Sequence, residues 1–146
     1  MESHDEEILR LLLQDGRMSF TDLSKHTNLS TSAVHQRVRR LEQRGVVTGY
    51  SAIVDLPEVG LGLTAIVLAR PLDPAAHDNT PELLQEIPYI EACYSVAGDY
   101  SYALLVRVRS TAQLEDVLSD MRTRANVFTN STVVLTTYFE RRPPAL

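Results

Sequence analysis

Two periodicities divide the chain. Up to about residue 44 the apolar positions recur every three or four residues, as on helices packed along one face. Beyond residue 63 many of them alternate, as on half-buried strands. Ile8, Leu9, Leu11, Leu12 and Leu13 predict a first helix over residues 5–14. Ser3 and Glu6 in front of it read as a capping box, and Asp15-Gly16 behind it as a left-handed glycine stop. Ser19 and Asp22 repeat the start signal for a short second helix over residues 20–26, which buries Phe20 and Leu23 and breaks at Asn28. Ser30 caps a third helix that reaches Arg44, where Gly45 stops it. On that helix Ala33, Val34, Val38 and Leu41 share the inward face, leaving Ser32, His35, Gln36, Arg39, Arg40 and Gln43 mostly on the others.

Residues 45–55 are rich in branched side chains and predict a β-like segment, and residues 56–62, with one Pro and two Gly, a linker. Four strands are then expected, over residues 64–70, 90–97, 100–109 and 129–140. Gly98-Asp99 forms the turn between the second and third. Thr80-Pro81-Glu82 reads as an N-cap with Pro at the first helical position, opening a helix to about residue 86. A second helix over residues 111–121 turns Leu114, Val117, Leu118 and Met121 inward. The order β-α-β-β-α-β is that of the ferredoxin-like split pattern. The expected fold class is therefore α+β, with a helix-turn-helix, winged-helix-like domain over residues 1–50 and a linker strand and loop over 51–62. A ferredoxin-like domain over 63–142 completes it.

Composition narrows the class. With 44% hydrophobic residues among 146, the chain has enough apolar material for a real core. No run of about 18 apolar residues predicts a membrane span, and the acidic, polar start over residues 1–7 does not resemble a secretory signal. A single cysteine, Cys93, excludes an internal disulfide framework and any multi-cysteine metal site, and a reducing cytoplasm is the simplest compartment. Cys93 itself reads as a small core residue, with no base beside it to make a nucleophile. The net charge of −5 comes entirely from residues 51–146, and the first fifty residues balance. Within them, residues 28–50 carry Arg37, Arg39, Arg40 and Arg44 against Glu42 alone, a local +3 on a short element.

A basic, polar helix following a tight turn suits the major groove, whose base edges offer partners to Arg, Gln, Ser and His. Ser30, Thr31 and Ser32 place hydroxyls and free amides at the helix N-terminus, where a phosphate can bind. His35, Gln36 and Arg39 lie where they can reach bases. Arg37, Arg40 and Arg44 are assigned to backbone contacts, which position without reading sequence. Spacing alone leaves two plainer readings open: the arginine face is simply solvated, or Ser30 and Thr31 do no more than cap. His35 has no His or Cys at ligand spacing, so no metal is expected.

The quoted residues carry a resemblance. Asp15-Gly16-Arg17, Leu23, Leu29 through Val34, Arg37 through Glu42 and Gly45 through Tyr50 resemble the Lrp/AsnC (feast/famine) regulators. Ile90 through Tyr100 is similar to that family's effector-domain signature, and the closing stretch from Ser131 to Tyr138 also matches. The resemblance covers nearly the whole chain. It implies a DNA-binding helix-turn-helix, and a ferredoxin-like domain whose sheet pairs with a partner's sheet in dimers that assemble into octamers. It also implies amino acids, aliphatic or aromatic, bound in clefts between dimers as effectors rather than cofactors. A prokaryotic, nucleoid-associated protein of the cytoplasm follows from the same resemblance.

The effector residues so implied are Ala97, Gly98, Asp99, Tyr100, Ser101, Tyr102, Thr136 and Thr137. Gly98 lets amides approach a ligand, although Gly-Asp is also plain turn chemistry. Tyr100 and Tyr102 are expected on one side of a strand, as an aromatic wall or as interface core. Thr136 and Thr137 are expected on the last strand, where β-propensity equally explains them. One departure stands out: the family's turn reads Gly-x-Tyr-Asp-Tyr, and here Ser101 replaces the Asp. A neutral hydroxyl cannot ion-pair with an effector's ammonium group, so Asp99 takes over, binding weakens, or the effector differs.

Two rival readings are an enzyme in a sheet-lined pocket and a scaffold whose N-terminal helices bind a protein. Against the enzyme, the sequence offers no nucleophile-base set, no phosphate-binding Gly loop and no metal-spaced histidines. His4, His26, His35 and His77 are scattered.

Overall fold

The computed structural model describes residues 2–75 and 79–146. The chain forms two compact units: the residues up to Ile53 together with Phe139–Leu146, and Val54–Tyr138.

The first unit holds three helices, α1 (Ser3–Gln14), α2 (Phe20–Thr27) and α3 (Thr31–Gln43). Ile8, Leu9, Leu23, Val34, Val38 and Leu41 form its core. Local chemistry sets the two helix starts that matter most. Ser19 Oγ accepts from the Asp22 amide at 3.1 Å and Ser30 Oγ from the Ala33 amide at 3.2 Å. Asn28, at φ 55°, turns the chain between α2 and α3 in the left-handed region.

Three expectations fail here. The Ser3–Glu6 capping box does not form: Ser3 already lies inside α1, and the Glu2 carbonyl accepts from the Asp5 and Glu6 amides at 3.0 and 3.1 Å. Gly16 is not a left-handed stop either. Asp15 is extended, and its Oδ1 accepts from the Arg17 amide at 2.9 Å, so an Asx turn reverses the chain. Phe20 is 38% exposed rather than buried, its ring edge-on to His35 at 5.1 Å.

Residues 45–55 form no strand. A β ladder needs a neighbour, and no strand of the described residues pairs with them. Val46, Tyr50, Ile53 and Val54 are left exposed. At the other end of the chain, Pro144 and Leu146 line an apolar hollow of about 320 Å3 with Leu9, Leu12, Leu13 and Tyr50.

The second unit runs β1 (Leu63–Pro71), α4 (Thr80–Gln85), β2 (Ile90–Ser95), β3 (Tyr102–Val108), α5 (Thr111–Arg124) and β4 (Val127–Val133). Its sheet is antiparallel throughout, in the order β2-β3-β1-β4, the strand order of the split β-α-β pattern. Val67 pairs with Leu104 on one side and Ser131 on the other. Ala65, Val67 and Ala69 of β1 join Leu104, Val106 and Val108 of β3, Leu84 of α4 and Leu114, Val117 and Met121 of α5 in one core. Leu118 is only partly buried against it.

Boundaries differ from expectation for physical reasons. Asn79, not Thr80, is the N-cap of α4, and Thr80 is buried in its first turn. The turn after β2 is not a two-residue hairpin: residues 96–101 form a loop closed by the Val96 amide donating to the Ser101 carbonyl at 2.9 Å. β4 stops at Val133, opposite Ala65 near the start of β1, and one further bond, the Val134 amide donating to the Thr64 carbonyl at 2.9 Å, ends the pairing. Residues 135–139 therefore continue without a ladder, Leu135 94% and Tyr138 90% exposed. Cys93 is exposed on the edge strand β2 rather than part of the core.

Candidate DNA interface and effector loop

The candidate DNA interface is built on α3. With Val34, Val38 and Leu41 buried, helical geometry places Ser32, Gln36, Arg39 and Gln43 in one stripe roughly opposite them, and all four are exposed. Gln43 was not among the expected site residues, although the same spacing marks it. Thr31, His35, Arg40 and Arg44 are exposed beside this stripe. Among the described residues Arg39 and Arg44 have no carboxylate at ion-pair distance. Ser30 is occupied as the cap, with Ser32 Oγ 3.2 Å from its hydroxyl. His35 stands partly on Phe20, so one side of its ring packs the α2–α3 corner.

Arg37 and Arg40 are placed differently. Arg37 Nη1 donates to Asp5 Oδ1 and to Glu2 Oε2, each at 2.7 Å, and Arg40 Nη2 lies 3.5 Å from Asp5 Oδ2 and 3.9 Å from Glu2 Oε1. Asp5 is only 2% exposed. Arg37 is half-buried on the flank of α3, outside the exposed stripe. Hydrogen bonding to Arg37 holds the Glu2 carboxyl below its usual range. The +3 of residues 28–50 is thus partly neutralised by two acids of α1 and its cap. Asp5 could have been found in the sequence, because it precedes Ile8 and Leu9 by three and four positions and so shares their inward face.

The expected effector residues are only partly brought together. Ala97, Gly98 and Asp99 sit exposed at the tip of the β2–β3 loop. Gly98 has φ 129°, a left-handed conformation, and its Cα faces open space. Ser101 is half-buried, its amide donating to the Ala69 carbonyl at 3.0 Å, which ties the loop to β1. Tyr100 and Tyr102 do not share a side. Asn130 Nδ2 donates to the Tyr100 hydroxyl at 3.2 Å, while Tyr102 is buried in the helix-packed core. Tyr102 also lines a cavity of about 450 Å3 with Pro81, Gln85, Cys93 and Ser95. Thr136 and Thr137 lie beyond β4, exposed and on no strand, because the ladder ends at Val133. His77 is outside the described residues. No helix of the described residues is long and apolar enough to cross a membrane, and no metal-binding cluster occurs among them.

Comparison with known proteins agrees with this division. Residues 1–48 match the family model for winged helix-turn-helix DNA-binding domains, and residues 64–144 that for the Lrp/AsnC ligand binding domain. A DNA-binding helix-turn-helix and a ligand-binding domain in one chain define a ligand-responsive transcription regulator. The chain belongs to the Lrp/AsnC family of transcriptional regulators. It is 50% identical over 138 residues to the HTH-type transcriptional regulator LrpA of Mycobacterium tuberculosis, covering 94% of this chain and 92% of that one. The regulator LrpC of Bacillus subtilis is 32% identical over 126 residues, 86% of this chain and 87% of that one. A solved structure of the feast or famine regulatory protein from M. tuberculosis complexed with L-methionine superposes with a TM-score of 0.95. It is 48% identical and covers 98% of this chain and 97% of that one.

Proposed function

We propose that α3 reads duplex DNA in the major groove through Ser32, His35, Gln36 and Arg39, with Ser30, Thr31, Arg40 and Arg44 steering phosphates. An amino acid with an uncharged side chain, methionine among them, modulates that binding. The observation that carries this reading is the polar stripe of α3, exposed directly opposite its buried face and containing Arg39 with no acidic partner among the described residues. A guanidinium held on a rigid helix can bond both acceptors of a guanine edge, and Gln36 both groups of an adenine edge.

The effector reading rests on the family and on the loop at Gly98. Ala97–Ser101 line none of the cavities described above, and a second copy completes the cleft. Asp99, exposed at the tip, supplies the carboxylate that Ser101 cannot, and so holds the ammonium group. Self-association has its own support. The sheet face turned away from α4 and α5 carries Ile66, Tyr94 and Phe128, 47%, 61% and 46% exposed. An apolar strip of this kind suits the sheet of a second copy. Dimers and higher assemblies, up to octamers, then place α3 helices about one DNA turn apart, roughly 34 Å. The effector acts by favouring one assembly over another. A cytoplasmic, nucleoid-associated protein follows from this role.

Selection from a random duplex library tests the reading. Enrichment of a pseudo-palindromic site by the wild type, and a relaxed consensus with Arg39→Ala, are expected. An unenriched library would overturn it.

A further inference from the structure

We propose that Glu2 is a displaceable stand-in for a DNA phosphate: its carboxylate occupies the Arg37–Arg40 flank of α3 in the free protein and gives way to a backbone phosphate when DNA docks. This deepens the DNA-binding reading and rests on it.

The two acids that share these arginines are not equivalent. Asp5 is 2% exposed and fixed against Arg37 at 2.7 Å, a permanent part of the fold. The Glu2 side chain is 61% exposed. Its carboxylate caps no amide of the helix it precedes, because the Glu2 backbone carbonyl makes the first α1 hydrogen bonds. Its only partners among the described residues are the two guanidiniums, at 2.7 Å from Arg37 and 3.9 Å from Arg40. Arg40 is loosely held as well, 46% exposed with its nearer carboxylate 3.5 Å away.

The space beside these groups suits the exchange. Ala33, Gln36, Arg37 and Arg40 line an open hollow of about 360 Å3, and Gln36 belongs both to it and to the exposed stripe that faces the groove. A helix seated in the major groove brings its flanks against the sugar-phosphate backbone. A phosphate arriving there meets two guanidiniums whose charge is partly cancelled by an exposed carboxylate. A phosphate oxygen can take the place of Glu2 Oε2 on Arg37 Nη1, which preserves that donor's hydrogen bond, and Arg40, which makes no hydrogen bond to Glu2, gains a charged acceptor. Glu2 thereby lowers affinity for any DNA without touching sequence preference. It is a built-in brake on non-specific binding.

The test is DNA affinity of the full chain by anisotropy across a salt series, for wild type, Glu2→Gln, Arg40→Ala and the double variant. Glu7→Gln is the control for an equal charge change on the same helix. Glu2→Gln is expected to bind both specific and random duplexes roughly threefold or more tightly, with the log-affinity against log-salt slope unchanged, because the same phosphates are contacted once Glu2 has given way. Glu7→Gln is expected to show no such gain, and the Glu2→Gln gain is expected to shrink in the Arg40→Ala background, where only Arg37 is left for the phosphate to share. If Glu2→Gln matches wild type in affinity, or steepens the slope by a whole phosphate contact of about 0.9, while Arg39→Ala still weakens binding, the stand-in is overturned and the DNA reading survives. An equal gain in Glu7→Gln overturns it too, as a general charge effect. If no variant binds duplex DNA in a salt-dependent way, the DNA reading itself falls.

Discussion

Asp5 Oδ1 lies 2.7 Å from Arg37 Nη1, joining the first turn of α1 to the middle of the candidate recognition helix. The carboxylate is almost wholly buried, and a buried ion pair that loses one member leaves an uncompensated charge. Asp5→Ala is expected to destabilise the protein by about 2–3 kcal/mol, below the value for a fully buried pair because Arg37 keeps some access to water. Urea unfolding checks this. A midpoint equal to wild type would mean that the pair is incidental to the fold.

Arg39→Ala is expected to weaken specific binding by about 1–3 kcal/mol, a loss confined to the preferred site. Arg44→Ala is expected to weaken all duplexes alike and to flatten the salt slope by about 0.9. Comparing specific and random duplexes for both variants separates base reading from phosphate steering. The reverse pattern would exchange the two assignments.

Gly98→Thr puts a branched side chain on a residue with φ 129°, a conformation costly for anything but glycine. The change is confined to the β2–β3 loop, so DNA binding without effector is expected to persist. The response to amino acids is expected to disappear, as read by anisotropy with and without L-methionine. An unchanged response would move the effector site away from the loop.

Two exposed carboxylates are held below their ordinary values of 4.5 and 3.8. For Glu2 the main cause is its hydrogen bond to Arg37, and for Asp22 its hydrogen bond with Ser19, then Lys25. Because the folded-state values are the lower ones, these groups add stability above the ordinary carboxylate range. That contribution is lost as pH falls through the folded values. Unfolding midpoints measured downward from pH 6 are expected to fall most below about pH 4.5. Asp22→Asn is expected to show a shallower decline, and an identical profile would remove Asp22 from this account.

What was legible in the sequence was what local chemistry decides. Ser19 and Ser30 cap α2 and α3 from within three residues, Asn28 turns the chain between them, and the inward face of α3 follows from the spacing of Val34, Val38 and Leu41. The sheet order was legible because two helices interrupt four short strands in a fixed sequence. What failed depended on distant partners. Arg37 looked like a freely exposed cation, and the buried acid that holds it lies 32 positions earlier. Residues 45–55 and 135–140 have strand-like composition, yet a ladder needs a neighbour, and no strand of the described residues pairs with them. Tyr100 and Tyr102 part because the β2–β3 loop is longer than a two-residue turn, so Tyr100 precedes β3 instead of lying on it.

The central claim is a DNA-binding regulator that answers to an amino acid. Fluorescence anisotropy tests it most directly, using duplex from upstream of the protein's own gene at two salt concentrations, with and without L-methionine within a pool of amino acids. The account predicts tight binding that weakens steeply with salt and shifts with the pool. Binding that ignores salt, or no binding to that duplex or to a scanned genomic library, would contradict it.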